Sequence, residues 1–249
     1  MNPHLAMIAF AAILVTAPAA AADIKVLASP GVREAYNELV PQFEKASGHH
    51  VITIWDGVVN VTKRVAEGES ADVVILPLAQ IDELTAKGKL VAGSRIDVAK
   101  SGVGVAIKAG APKPRLRNGD DLKAALLKAK KIAFSTGPSG VYIQHLMQQW
   151  GIWDTIKDKT VIPSVDTPVG IAIANGDADI GFQQVSELIH VKGITFLGPL
   201  PSDVQETTVF SAGLHKDVTM PAAARAFMLF LGAPRAAESF RKAGMEPGS

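Results

Sequence analysis

The chain has 249 residues, 48% of them hydrophobic and 20% charged, with a formal net charge of +1. That balance suits one large or two small globular domains and gives no basic footprint for nucleic acid or an acidic membrane surface. Cysteine is absent, which excludes disulfides, thiol catalysis, thiolate-bound metal and a lipid-modified cysteine.

Residues 1–22 carry no Lys, Arg, Asp or Glu, and the apolar run Leu5–Val15 precedes Ala20-Ala21-Ala22. This predicts an export signal cut after Ala22, leaving a periplasmic, soluble product that is not lipid-anchored. Ile24–Ala28 predicts a first strand, and Ser29-Pro30-Gly31 turns it into a helix over Val32–Ser47. Apolar positions at Val32, Ala35, Tyr36, Leu39, Val40 and Phe43 fall near the helical repeat. Pro41 predicts a kink or an early end, and Gly48 the stop. Val51–Trp55 predicts a second strand, and Asp56-Gly57 introduces a helix running to about Glu67. Gly68-Glu69-Ser70-Ala71-Asp72 enters a third strand, Val73–Leu76, followed by a helix over Gln80–Lys87.

Val103–Ile107 predicts a strand, Gly110–Asn118 a loop, and Asp120–Lys130 a helix. Lys131–Phe134 then reads as a buried strand, turned by Ser135-Thr136-Gly137-Pro138 into a helix from Ser139 to Trp150. Thr160–Ile162 and Gly170–Ala174 predict a short strand and a short helix, and Asn175-Gly176-Asp177-Ala178-Asp179 enters the strand Ile180–Gln183. The chain thus repeats one device, strand–turn–helix–strand–helix–Gly…Asp–strand, over residues 24–76 and 131–183. Two such units predict parallel sheet with right-handed crossovers. Thr207–Leu214 predicts a returning strand, and the helices Pro221–Leu231 and Pro234–Ala243 are expected on the first lobe.

The expected fold class is α/β: two lobes, each a mostly parallel sheet flanked by helices, joined by crossings near Ser101–Val105 and Glu206–Phe210. Lobe one is assigned residues 23–103 and 209–249, lobe two residues 104–208. Helix N-termini carry unpartnered N–H groups and roughly half a positive charge, so the two strand–turn–helix corners predict an anion site at the carboxyl edges of the sheets. Ser29 and Gly31 are one candidate set, and Thr136, Ser139 and Gly140 its mirror.

Asp56 and Gly57 lead the second helix, where Asp56 either caps it or faces the cleft. Gln183 and Gln184 end a strand whose alternation sends one of them to the cleft, and Gln184 is the one chosen. The Tyr142 hydroxyl reaches either a ligand or a packing partner. Arg33 lies in a first helical turn, where the dipole disfavours a cation, which hints at a carboxylate partner. The histidines show no metal spacing, and no dinucleotide or serine-hydrolase motif is found, so no metal and no cofactor are expected.

Ala28-Ser29, Phe43-Glu44-Lys45-Ala46-Ser47-Gly48, Gly68-x-x-Ala71-Asp72, Gly176-Asp177-Ala178-Asp179-x-Gly181-Phe182 and the closing helix pair resemble the type II periplasmic solute-binding proteins. The molybdate-binding branch looks nearest. The resemblance implies two lobes closing over one small anion, held by neutral hydroxyls and amides and delivered to an ABC permease. A monomer is expected. Ser29 falls on the branch's first ligand serine, but Trp55-Asp56-Gly57 stands where it has a serine pair, and Gln184 where it has a tyrosine. A carboxylate facing a tetrahedral dianion is repulsive, so a small organic acid is expected rather than molybdate. A periplasmic isomerase of aconitate is similar to this branch, which makes isomerisation in the same pocket the alternative. Asp56, Glu187 and Tyr142 are then candidate bases, and no spacing selects one.

Overall fold

In the computed structural model, which describes residues 21–164 and 167–248, the first half runs β1 (Asp23–Ala28), α1 (Arg33–Ser47), β2 (His50–Trp55), α2 (Val58–Ala66), β3 (Val73–Pro77) and α3 (Leu78–Ala86). The body of the expected export signal lies outside these residues. β1 lies between β2 and β3 and is parallel to both. β4 (Ile96–Lys108) and α4 (Gly119–Lys128) lead to β5 (Ile132–Phe134), α5 (Pro138–Gln149), α6 (Trp153–Ile156), β6 (Thr160–Val161), α7 (Val169–Asn175) and β7 (Ile180–Gln184). β5 lies between β6 and β7, again parallel to both. The repeat seen in the sequence is a repeat of topology.

The chain closes with α8 (Val185–Leu188), β8 (Ile194–Pro199), β9 (Thr207–Leu214), α9 (Pro221–Leu231), α10 (Ala237–Lys242) and β10 (Glu246–Pro247). Strand order is β2-β1-β3-β9-β4-β7-β5-β6. β4 belongs to both lobes: residues 96–102 pair with β9, and from Val103 onward the strand pairs with β7.

Both faces of each sheet are covered, which is why the central strands are continuous apolar runs. In lobe one, Val26 and Ile75 meet α1 and α9 through Tyr36, Phe43 and Phe227, while Leu27 and Val74 meet α2 and α3 through Val65 and Leu84. In lobe two, Val105 and Phe182 pack with Leu122 of α4 and Ile143 of α5, and Ala106 and Ala133 with α7 and α8.

The two Gly…Asp segments do the same work in each lobe. Asp72 accepts the Lys25 N–H at 2.8 Å, and Asp179 accepts those of Lys130 and Lys131 at 2.8 and 2.9 Å. Each carboxylate thus holds the backbone that enters its lobe's first parallel strand. Asp72 also accepts the backbone N–H and hydroxyl of Thr219 at 2.8 and 2.9 Å.

Three expectations are corrected. Pro41 neither breaks nor shortens α1, because Pro41 and Asn37, whose carbonyl loses its partner, both face solvent, while buried Leu39 and Phe43 anchor the helix on either side. β4 begins at Ile96 rather than Val103; the polar residues that disguised it are satisfied in place, as when Ser211 donates to Asp97 at 2.7 Å. β8 was not foreseen, since its half-buried run ends in Gly198-Pro199.

Candidate functional site

Between the lobes lies a cavity of about 80 Å³, walled by the turns that follow β1 and β5. One buried water needs roughly 10–15 Å³ of such space, so the cavity takes several waters or one small molecule. Lobe one contributes Ser29, Gly31, Arg33, Gly57, Val58 and Phe210; lobe two contributes Ser135 to Ser139, Gln183, Gln184 and Glu187.

Ser29 is extended (φ −87°, ψ 151°), and Pro30 then starts a short 3-10 turn that runs into α1. Its N–H donates to the Ile75 carbonyl at 3.0 Å, which fixes the corner to β3. Its buried Oγ has no partner among the described residues. A Cβ on Gly31 would stand 2.3 Å from Cζ of Phe210, so only glycine lets the turn approach that ring. Arg33 sits with its guanidinium carbon 4.8 Å from the Trp55 ring centre. Its buried Nε also lacks a partner among the described residues.

In the mirror corner, Thr136 and Ser139 line the cavity, with Ser139 buried. Ser135 shares the wall, and its Oγ accepts the Gly137 N–H at 3.2 Å. Gly140 does not line it. A Cβ there would lie 1.6 Å from the Ser135 carbonyl oxygen, so this glycine lets α5 pack against its own turn.

Two further candidates stand apart from the cavity. Asp56 accepts from the Gly57 N–H at 2.7 Å, from Asn60 at 2.9 Å and from Arg64 at 3.2 Å. Burial pushes its carboxyl up, but those three donors outweigh it and hold the group below the usual carboxylate range. Asp56 therefore serves the start of α2, and its neighbour Gly57 reaches the wall instead. Tyr142 donates to the Val204 carbonyl at 2.8 Å and faces an outer groove.

Both glutamines line the cavity, where alternation allowed one. Alternation fails because Gln184 is at once the last residue of β7 and the N-cap of α8. With its oxygen toward Thr208 Oγ1 (2.9 Å), the Gln184 amide nitrogen stands 3.0 Å from the Ser101 carbonyl and ties β7 to the crossing strands. Gln183 donates to Glu187 Oε1 at 2.8 Å, while its own buried Oε1 is without a partner among the described residues. Burial pushes the Glu187 carboxyl up to about 7, opposed by the bonds from Gln183 and the Gln184 backbone and by the charge of Arg33.

The cavity therefore offers donors for an anion (a hydroxyl, a guanidinium edge and turn amides), plus one titratable carboxyl. Sequence reasoning missed Ser135 and Phe210, and it weighed Gln183 but chose Gln184 in its place. Ser135 lies inside the turn already singled out, whereas Phe210 carried no local signal. Among the described residues no cluster of metal-ligating side chains occurs, and no helix is long and apolar enough to cross a membrane.

Two α/β lobes, two crossings and a shared cavity define the type II periplasmic-binding fold. The chain belongs to the family of bacterial extracellular solute-binding proteins, which it matches over residues 24–246. It is 34% identical to an aconitate isomerase of a Pseudomonas species, over 99% of this chain and 98% of that protein. It is 24% identical to the molybdate-binding protein ModA of Escherichia coli strain K12, covering 89% of this chain and 88% of that one. The periplasmic molybdate-binding protein of Azotobacter vinelandii superposes with a TM-score of 0.75 at 23% identity, covering 89% of this chain and 98% of that structure.

Proposed function

We propose that this protein holds a small organic polycarboxylate between its lobes, as the exported, monomeric receptor of an ABC-type importer. The observation that carries the proposal is the pair of unpartnered donors in one cavity, Arg33 Nε and Ser29 Oγ. Buried polar atoms are normally satisfied, and a guanidinium edge beside a hydroxyl matches a carboxylate in both charge and geometry.

A second assignment, isomerisation of a small tricarboxylic acid, is favoured by Glu187. Neutral and cationic donors suffice to hold an anion, whereas a carboxyl whose titration is raised toward neutrality can also carry a proton. The 34% identity to an aconitate isomerase along nearly the whole chain points the same way. Both assignments share the first step, capture of the polycarboxylate.

The test is a thermal-unfolding screen of the purified protein with cis- and trans-aconitate, tricarballylate, citrate, molybdate and sulfate. A ligand at 100 times its Kd adds about 2.7 kcal/mol to the folded state, so a binder shifts Tm by several degrees. Polycarboxylates are expected to raise Tm; a shift with molybdate or sulfate alone overturns the carboxylate assignment.

A further inference from the structure

Glu187 is the one carboxylate among the described residues that line the cavity, and simple anion capture leaves it unexplained. Its position is built rather than incidental. Gln183, near the end of β7, donates to Oε1 at 2.8 Å and fixes the carboxyl against the wall. Arg33, lining the same cavity from the other lobe, is the charged side chain that faces it. Ser29, Arg33 and Glu187 line one cavity of about 80 Å³, so a polycarboxylate anchored on the first two shares that small space with the third.

We propose that Glu187 is the catalytic proton carrier of this cavity, moving a proton between two carbons of an unsaturated polycarboxylate that Arg33 and Ser29 hold. The proposal rests on the isomerase assignment. The Glu187 carboxylate takes a proton from the methylene carbon next to the double bond: a C–H bond breaks and an O–H bond forms. The electron pair spreads over the allylic carbons and the carboxylates they bear, where the Arg33 charge stabilises it. The O–H bond then breaks and the proton goes to the far carbon of the former double bond. The double bond has moved by one position, with no oxidant, reductant or co-reactant. Desolvation holds the carboxyl near neutrality, which suits a group that must both accept and return a proton. Gln183 is a positioning residue.

The experiment follows purified protein with trans-aconitate by proton NMR in deuterated buffer, with Tm shifts measured on the same samples. Wild type is expected to interconvert the trans and cis acids with kcat rising as pH passes through the carboxyl's titration. Glu187→Gln is expected to lose at least a thousandfold in kcat yet keep its Tm shift. Glu187→Asp should recover part of the rate. Turnover by Glu187→Gln within tenfold of wild type overturns the role given to Glu187 and leaves the isomerase assignment standing. Wild type that binds without turnover overturns both and leaves the receptor assignment.

Discussion

Ser186 Oγ donates a 2.7 Å hydrogen bond to the Gly31 carbonyl, joining α8 of one lobe to the ligand-facing turn of the other. Both residues are buried, and Ser101 Oγ of β4 lies 3.4 Å from the same hydroxyl. The bond spans the cleft at the edge of the cavity, so it contributes to any state in which the lobes are together. Ser186→Ala leaves a buried carbonyl without its partner, at a cost of about 1–3 kcal/mol. Calorimetry is expected to show the affinity for a polycarboxylate falling roughly 5- to 150-fold at that cost. An unchanged Kd would mean that the contact is not part of the bound state.

Arg33 and Tyr142 make a contrasting pair. Charge-assisted hydrogen bonds are worth about 1.5–3 kcal/mol, so Arg33→Gln should weaken polycarboxylate binding by roughly 10- to 150-fold. Tyr142 spends its hydroxyl on Val204, outside the cavity. Tyr142→Phe should cost about 1 kcal/mol in denaturant melts while leaving Kd within about twofold. The two substitutions thus separate the cavity from the outer groove.

Glu187 makes stability depend on pH with a definite sign. Its carboxyl titrates at about 7 in the folded chain against an ordinary value of 4.5. Between those values the folded state binds more protons than the unfolded one. The contribution is therefore fully present below the unfolded value and is lost as pH rises through the folded one. Wild-type Tm should fall, relative to Glu187→Gln, as pH rises from about 4.5 to about 7, as read by calorimetric scans at constant ionic strength. Affinity for an anion should decline as pH rises through about 7, where the folded carboxyl ionises and begins to repel it.

The paired aspartates are expected to matter for folding and not for the ligand. Asp179→Ala removes the acceptor for two backbone N–H groups at the entry to β5. Asp179 is exposed, so the two hydrogen bonds count as ordinary ones, and their loss costs on the order of 1–3 kcal/mol, a shift of several degrees in Tm. Binding by the fraction that remains folded should be unchanged.

Much of this molecule was legible in one dimension. Apolar runs of strand length, corners made from Ser-Pro-Gly and Ser-Thr-Gly, and Gly…Asp at the mouth of a strand are local signals. Their recurrence over residues 24–76 and 131–183 fixed the two-lobed topology, because a βαβαβ unit has few ways to bury its faces. Ser29, Gly31, Thr136 and Ser139 followed from the corners themselves, since a strand edge and a helix start place them by local geometry. The cavity's charged residues did not follow. Arg33 was visible as an oddly placed cation, but its partner wall comes from another lobe, more than 100 residues away along the chain. Gln183 and Glu187 face the gap because β7 ends where α8 begins, and Asp56 and Tyr142 turn aside because Arg64 and Val204 offer them closer partners. Which side chains share a cavity is a property of distance in space, and only the packed lobes set that distance.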